Sequence, residues 1–234
     1  MELSAYVVAN PKKLHAAKVK QEVEEFLKEK GIEVTLGGKL LVTIGGDGTI
    51  LHNNRHFDKD IFAIGSASSF LCQAKLEDWK EKLGKILGGY KVQKRMMLAS
   101  ELDGKRLPDA LNEVCARNKE HRILMLGLDV GQKHHEFRAD GVMFATPTGS
   151  RAYCYSCGGE ELSADAKSYE AVAIAPFRRE FAPTIVPASV KCRLVVESEC
   201  DADVVIDGQE VFPLKQKSVV KVWVSGKYAK FVIV

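Results

Sequence analysis

Long apolar runs are missing from this chain. A membrane-spanning helix needs about 20 consecutive apolar residues, and no segment of the 234-residue sequence approaches that length. The opening residues, MELSAYVVANPKK, also lack the basic start and long apolar stretch of a signal peptide. We therefore expect neither a membrane partner nor secretion.

Cysteine content and net charge are both modest. Six scattered cysteines are too few for a disulfide scaffold, which predicts a reducing, cytoplasmic setting. The formal net charge of +3 suits anionic small molecules but is too weak to indicate a nucleic-acid partner. Hydrophobic residues at 46% and charged residues at 28% are the balance of a soluble globular protein.

Two common nucleotide-binding fingerprints are absent. The sequence contains no G-x-x-x-x-G-K-[ST], which excludes a P-loop enzyme as a prediction from sequence. It also contains no G-x-G-x-x-G dinucleotide fingerprint. Any nucleotide site in this chain must therefore be built from other glycine-rich turns.

Strands and helices alternate over the first 90 residues. The apolar character of Leu40, Leu41, Val42 and Ile44 indicates a strand that is buried on both faces, as in a parallel sheet. This alternation predicts a Rossmann-like α/β layer with ligands at the carboxyl ends of its strands. The predicted strands are LSAYVVAN, IEVTL, KLLVTIG and DIFAIG, and the predicted helices are KLHAAKVKQEVEEFLKEKG, ended by Gly31, and LEDWKEKLGKILGG.

The pattern changes to short β-prone runs after about residue 90. Asp103 with Gly104, and Asp207 with Gly208, are hairpin signals. We therefore predict an α/β domain over residues 1–92 and an all-β sandwich domain over residues 93–234. The last residues of the second domain are free to pack back on the first.

The segment VTIGGDGTILH, residues 42–52, places a glycine loop directly after a buried strand. Gly45, Gly46 and Gly48 allow backbone N–H groups to approach an anion without an intervening Cβ. Thr49 is predicted to cap the next helix, which would direct its positive end to the same place. The loop therefore suits phosphate.

Asp47 conflicts with simple phosphate binding, because a carboxylate repels phosphate. It could accept the proton of a hydroxyl that is about to be phosphorylated, or it could hold Mg²⁺ that bridges phosphates. The alternative is a tight structural turn with a solvated carboxylate. The loop alone does not separate these possibilities.

A second motif, RADGVMFATPTGSRAY, covers residues 138–153. Hydroxyls, a proline and a glycine lie together in Thr146 to Ser150, a composition that can start a helix with hydroxyl and N–H groups facing a ligand. Upstream lie Asn112 and Glu113, and an adjacent amide and carboxylate suit the vicinal hydroxyls of a ribose.

In this order, GGDGT, LNE, RADG-x4-TPTGS-x-AY with Gly158 and Gly159, and a late DGQ resemble the motifs of NAD kinases. The resemblance covers nearly the whole chain. It implies an α/β domain followed by a β-sandwich domain. It also implies phosphoryl transfer from ATP or polyphosphate to the 2′-hydroxyl of the adenosine ribose of NAD. Mg²⁺ or another divalent cation would arrive with ATP rather than at a tight protein site. A homodimer or homotetramer is expected.

The resemblance also implies residue roles. Asp47 would be the catalytic base or would orient the 2′-hydroxyl, and Asn112 and Glu113 would hold ribose hydroxyls. Thr148 and Tyr153 would contact the ligand, although both could simply cap and pack a helix. The other positions assigned to the nucleotide are Gly48, His52, Arg122, Arg138, Asp140, Arg151, Ala152, Ser156 and Gln209.

Several positions depart from the family pattern. The segment AIGSASSFL has serines where the family has a glycine-rich, Asn-containing segment. Arg151 stands where the family has Thr, Glu160 and Glu161 follow the two glycines, and Ala182 stands at a usual Arg. These changes leave open the donor and the choice between NAD and NADH. They also keep two alternatives in view, an NAD(P) sensor that has lost phosphoryl transfer and a lipid or other small-molecule kinase.

Three other groups favour ordinary structural interpretations. Cys154 and Cys157 form a C-x-x-C, but they follow TPTGS in an expected helix and have no second C-x-x-C, so neither zinc nor redox chemistry is favoured. His134 and His135 are predicted to be solvated in a polar turn. A solvated helix face is predicted for Lys12, Lys13, Lys18 and Lys20.

Overall fold

The computed structural model describes residues 3–120, 122–199 and 201–234. The chain divides into two compact units. Unit 1 contains the residues up to Lys94 together with Ala229–Val234, and unit 2 is Arg95–Tyr228. Among the described residues, no helix combines the length and the apolar character needed to cross a membrane.

Within the part of the chain that the structure describes, unit 1 contains three α-helices, and unit 2 adds one short α-helix and most of the strands. The helices are α1 (Leu14–Glu29), α2 (Asp47–Asn54), α3 (Trp79–Leu87) and α4 (Tyr153–Ser156). The first strands are β1 (Ser4–Ala9), β2 (Glu33–Val34), β3 (Leu40–Ile44), β4 (Asp60–Gly65), β5 (Ala74–Lys75), β6 (Lys91–Leu102), β7 (Lys105–Arg106) and β8 (Glu113–Asn118). The remaining strands are β9 (Leu124–Val130), β10 (Lys133–Ala139), β11 (Gly141–Ala145), β12 (Ser168–Ile174), β13 (Thr184–Pro187), β14 (Cys192–Val196), β15 (Ala202–Ile206), β16 (Glu210–Leu214) and β17 (Val219–Ile233).

The sheet of unit 1 is parallel and runs in the order β2, β1, β3, β4. Val42 of β3 lies between Val7 of β1 and Phe62 of β4. Both β5 and the end of β17 pair with β4, the latter through Lys230 and Phe231. All residues of β3 and β4 are buried, as the sequence predicted for a parallel sheet with both faces covered.

Helices α1 and α3 cover this sheet with apolar faces. Ala16, Val23 and Leu27 of α1 are buried at near-helical spacing, and the helix ends before Gly31, as predicted. Trp79 of α3 is also buried and makes an edge-to-face contact with Phe26, with ring centroids 5.7 Å apart. The residues predicted to form amphipathic helices therefore do form them.

Two expectations about unit 1 were wrong, and one predicted strand is shorter than expected. The predicted strand IEVTL is present but short, because only Glu33 and Val34 pair with β1. Thr49 does not cap the next helix, since α2 already begins at Asp47 with Gly46 at the capping position. Lys12 and Lys13 precede α1 rather than lying on its solvated face.

Unit 2 is a β-sandwich, as predicted. One sheet runs in the order β10, β9, β14, β17, and the other in the order β13, β12, β11, β8, β15, β16. Their inward side chains share one apolar core, which includes Leu126 and Leu194 from the first sheet and Phe144 and Val204 from the second. Because TPTGS follows β11 and Asn112 precedes β8, two adjacent strands carry both motifs.

Both Asp-Gly hairpins are present. Asp103 and Gly104 join β6 to β7, and Asp207 and Gly208 lie in the turn between β15 and β16. His134 and His135, however, lie on β10 and not in a turn. His134 Nδ1 is 2.6 Å from Asp129 Oδ1, and this hydrogen bond raises the pKa of His134.

We expect Leu27→Ala to lower the free energy of unfolding by about 2–5 kcal/mol, because Leu27 is fully buried and its loss leaves a cavity. Leu14→Ala on the same helix is the control, since Leu14 is fully exposed. Urea unfolding followed by tryptophan fluorescence measures both. Equal effects of the two substitutions would contradict the assigned core.

Candidate active site

The glycine loop, residues 45–48, follows β3 at the carboxyl end of the parallel sheet of unit 1, and its last two residues are also the first two of α2. Gly45 and Gly46 have φ angles of +152° and +131°. A Cβ on Gly45 would overlap with the hydroxyl of Thr49 and with Asn10. The conformation and the close packing both require glycine here.

The Asp47 carboxylate is held by two backbone N–H groups. Phe70 N–H donates to Oδ2 at 2.9 Å, and Leu71 N–H donates to Oδ1 at 3.0 Å. Phe70 and Leu71 are the last two residues of the serine arm, which we define as residues 66–71. Asp47 is half-buried, so a substrate can still reach its carboxylate. Each carboxylate oxygen accepts more than one hydrogen bond, which leaves acceptor capacity for a substrate hydroxyl.

Two lysine ammonium groups lie at this edge of the sheet. Lys13 donates to the carbonyl oxygen of Gly45, so its side chain reaches the glycine loop instead of extending into solvent. Lys75 donates to the carbonyl oxygens of Ser66 at 2.9 Å and Ser69 at 3.0 Å. His52 is exposed, with its ring centroid 5.1 Å from that of His56. The positive charge favours an anionic ligand.

In unit 2, Asp207 fixes the loop that carries Asn112 and Glu113. Its buried carboxylate accepts hydrogen bonds from the N–H groups of Leu111 at 3.1 Å, Asn112 at 2.7 Å and Glu113 at 3.2 Å. The sequence indicated only a hairpin turn at Asp207. Its contacts lie about 95 residues away in sequence, so local pattern gave no signal for this role.

Asn112 Oδ1 and Glu113 Oε2 are buried, and neither has a hydrogen-bond partner among the described residues. Buried polar atoms are usually paired, so two adjacent unpaired oxygens make this loop a candidate binding site for a polar ligand. Burial, together with the charge of Asp207, raises the pKa of Glu113 to about 8. Glu113 is therefore largely protonated at neutral pH and has an O–H to donate.

The Thr146 to Ser150 segment packs directly on the Asn112 loop. The Thr146 hydroxyl donates to Leu111 O at 2.6 Å and accepts from the N–H groups of Thr148 and Gly149 at 3.1 and 3.0 Å. A Cβ on Gly149 would overlap with the backbone of Asn112. The two motifs of unit 2 are therefore joined by hydrogen bonds and close packing.

Comparison with known proteins agrees with this geometry. The ATP-NAD kinase C-terminal domain matches residues 111–234. An NAD kinase of Methanosarcina mazei is 32% identical over 214 residues, which are 89% of this chain and 72% of the relative. The chain belongs to the NAD kinase family. An NAD kinase of Methanoculleus marisnigri is 29% identical over 224 residues, 93% of this chain and 83% of its own.

Solved structures of the NAD kinase fold match almost the whole chain. An NAD kinase from Archaeoglobus fulgidus in complex with ATP has a TM-score of 0.87 at 26% identity and covers 99% of this chain and 94% of its own. A yeast NADH kinase complexed with NADH has a TM-score of 0.89 at 20% identity, covering 99% and 83%. The second match concerns the fold alone.

Thr148 and Tyr153 differ in their exposure to solvent. Thr148 is buried in the capped turn, whereas Tyr153, at the start of α4, is partly exposed. The expected helix is brief here, a 3-10 turn at Gly149–Arg151 and the four residues of α4. Ala152 and Ser156 are exposed on these turns. Two of the residues expected to depart from the NAD kinase pattern, Arg151 and Glu161, form an ion pair at 2.5 Å.

Other predicted positions lie at the surface of unit 2. Arg138 pairs with Glu180 at 2.5 Å and stacks on Phe177, 4.1 Å from its ring centroid. Asp140 is exposed and accepts a long 3.5 Å bond from Asn118. The exposed Arg122 lies 4.0 Å from Glu120. Gln209 is exposed beside the turn that contains Asp207. The roles of these residues in an NAD kinase remain predictions.

The thiol of Cys154 is buried and hydrogen-bonded, as is usual for a cysteine with a structural role. Its buried thiol donates to Glu170 Oε2 at 3.3 Å, and Glu170 also accepts from the N–H of Glu160. Burial and the charge of Glu170 raise the pKa of Cys154, which disfavours a reactive thiolate. The buried Glu170 thus orders the turn after α4, a role that no sequence signal indicated.

We expect Glu113→Gln to change how stability depends on pH. Because the folded-state pKa of Glu113 lies near 8 and its ordinary value near 4.5, its stabilising contribution is complete below 4.5 and is lost as pH rises through 8. The wild type should therefore lose up to about 1.4 kcal/mol per pH unit relative to the variant within this window.

Urea unfolding at pH values from 5 to 8 measures this difference. Glu120→Gln is the control, because Glu120 is exposed and lies in the same unit. Parallel stability curves for the wild type and Glu113→Gln would contradict the raised pKa.

Proposed function

We propose that this chain acts as an NAD kinase that transfers the γ-phosphoryl group of ATP to the 2′-hydroxyl of the adenosine ribose of NAD, forming NADP and ADP. The observation that carries this proposal is the unpaired buried pair, Asn112 Oδ1 and Glu113 Oε2. A ribose presents two adjacent hydroxyls, which match these two adjacent groups. Protonated Glu113 can donate one hydrogen bond, while Asn112 accepts another.

Asp47 is proposed as the catalytic base. The 2′-oxygen attacks the γ-phosphorus, its proton passes to Asp47, and ADP leaves with the bond electrons. Two backbone N–H groups already orient the carboxylate, so it need not reorganise when the hydroxyl approaches. Its position at the start of α2 puts it beside the glycine loop, which suits the phosphates of the donor.

The phosphate donor brings the divalent cation. Mg²⁺ bound to the phosphates of ATP would offset their negative charge during transfer. The ammonium of Lys13 at Gly45 adds a positive charge from the protein itself. Polyphosphate remains an alternative donor, because it presents the same phosphoryl chemistry without a nucleoside.

The remaining nucleotide contacts are proposed on the resemblance to NAD kinases. We also propose a homodimer or homotetramer in the cytoplasm. Five of the cysteines are free thiols, which suits a reducing compartment. The contact positions are Gly48, His52, Arg122, Arg138, Asp140, Thr148, Arg151, Ala152, Tyr153, Ser156 and Gln209.

The deciding experiment measures the formation of NADP from NAD, or of NADPH from NADH, by the pure protein. ATP with Mg²⁺ and polyphosphate with Mg²⁺ are each supplied with NAD and with NADH. Sustained NADP from ATP and NAD supports the proposal. Binding of NAD without turnover would favour the sensor, and phosphorylation of diacylglycerol or a sphingoid base without NAD turnover would favour a lipid kinase. Omission of Mg²⁺, with a chelator added, should abolish transfer from ATP.

We expect Asp47→Asn to reduce the turnover number by about 10²–10⁴-fold, because an amide cannot take the hydroxyl proton. NAD binding, measured by calorimetry, should persist because Asn112 and Glu113 are unchanged. Asp58→Asn is the control, since Asp58 is an exposed carboxylate of the same unit. Near-normal turnover of Asp47→Asn would show that Asp47 is not the base.

A further inference from the structure

We propose that Lys75 is a positioning residue that fixes the Asp47 carboxylate through the serine arm. This inference rests on the proposed function, since it concerns the orientation of the catalytic base. It follows from a continuous set of hydrogen bonds within unit 1. Lys75 binds two carbonyl oxygens of the arm, and the arm in turn donates two N–H groups to Asp47.

The first step is the closure of the turn. Ser69 N–H donates to Ser66 O at 3.1 Å, which makes a turn of residues 66–69. Lys75 Nζ donates to the carbonyl oxygens at both ends of this turn, Ser66 and Ser69. Its own backbone is fixed, because β5 pairs with β4 and places Lys75 opposite Gly65. The ammonium therefore ties the turn to the edge of the sheet.

The second step is the transmission to Asp47. Phe70 and Leu71 directly follow the closed turn, and each donates its N–H to a different oxygen of Asp47. Two bonds from consecutive residues fix both the position and the plane of a carboxylate. A shift of the turn would move both donors together, so loosening Lys75 would misalign Asp47 without removing any group that touches the substrate.

The serine side chains do not provide this positioning. The Ser66 hydroxyl lies 3.0 Å from that of Ser68 and 3.5 Å from that of Ser69, so these groups bind one another. Lys75 contacts carbonyl oxygens, and Asp47 contacts N–H groups, all of which any residue provides. This arrangement explains how the arm can carry serines in place of glycines and still hold the catalytic carboxylate.

Lys75→Met tests the inference, because methionine fills the space of the stem but cannot donate. Misplacement of a catalytic group by about 1 Å costs about 10²-fold, so we expect kcat to fall by about 10–10²-fold. The KM for NAD should stay nearly unchanged. Lys75→Arg should restore most of kcat, since a guanidinium can donate to both carbonyls.

Lys59→Met is the matched control. Lys59 also donates to two backbone carbonyl oxygens, those of Leu36 and Gly38, but in a different loop of the same unit. Its loss should leave kcat near the wild-type value. If Lys75→Met does not fold, Lys75→Gln takes its place, because the amide keeps a single donor and should give a smaller fall in kcat.

A double-variant cycle separates positioning from general stabilisation. Lys75→Met added to Asp47→Asn should cause little further loss of kcat, since Lys75 acts through the carboxylate. Losses that multiply, or a kcat for Lys75→Met equal to that of Lys59→Met, would overturn the inference alone. Absence of NADP formation by the wild type would instead overturn the proposed function, and this inference with it.

Discussion

The geometry of the site in unit 2 depends on the buried Asp207 carboxylate. Three consecutive N–H groups, those of Leu111, Asn112 and Glu113, converge on it. Hydrogen bonds to a charged acceptor are worth about 1.5–3 kcal/mol each, which is enough to hold a short loop in one conformation. The held loop then places its carbonyl groups against Thr146 and Gly149. Burial raises the pKa of Glu113, and the charge of Asp207 adds to this shift, so one carboxylate both holds the loop and favours the protonated form of its neighbour.

In unit 1, too, backbone N–H groups donate hydrogen bonds to a carboxylate. There the carboxylate that receives the N–H groups, Asp47, is itself the proposed reactive group. A carboxylate held by backbone donors has a fixed direction and needs no neighbouring side chain to keep it there. What the sequence must provide is therefore the backbone conformation of the serine arm. Lys75 stabilises that conformation through its hydrogen bonds to two carbonyl oxygens of the arm.

Local sequence pattern predicted much of the fold. Alternating apolar strands and helices identified the α/β unit, and two Asp-Gly pairs identified hairpins because such turns need positive φ angles, which Asp103 and Asp207 adopt. Local pattern could not find Asp207 or Lys75 as positioning residues, because their roles depend on contacts formed only in the folded chain. It also misplaced the start of α2, since glycine at the capping position provides no side-chain signal. That Asn112 and Glu113 hold NAD remains a prediction.

Two of the expected departures from the family pattern, the charged pair after TPTGS and the serine arm, have a common physical feature. Arg151 and Glu161 are both half-exposed and pair with each other, so two unusual charges offset one another at the surface. Exposed ion pairs contribute about 0–1 kcal/mol, so this pair matters little for stability. The serines of the arm likewise bind one another. In both places the unusual groups are side chains, whereas backbone N–H groups hold the Asp47 carboxylate and connect the Asn112 loop to Asp207. A site whose geometry is carried by N–H and C=O groups tolerates such changes, and that tolerance is why an unusual serine segment does not argue against catalysis.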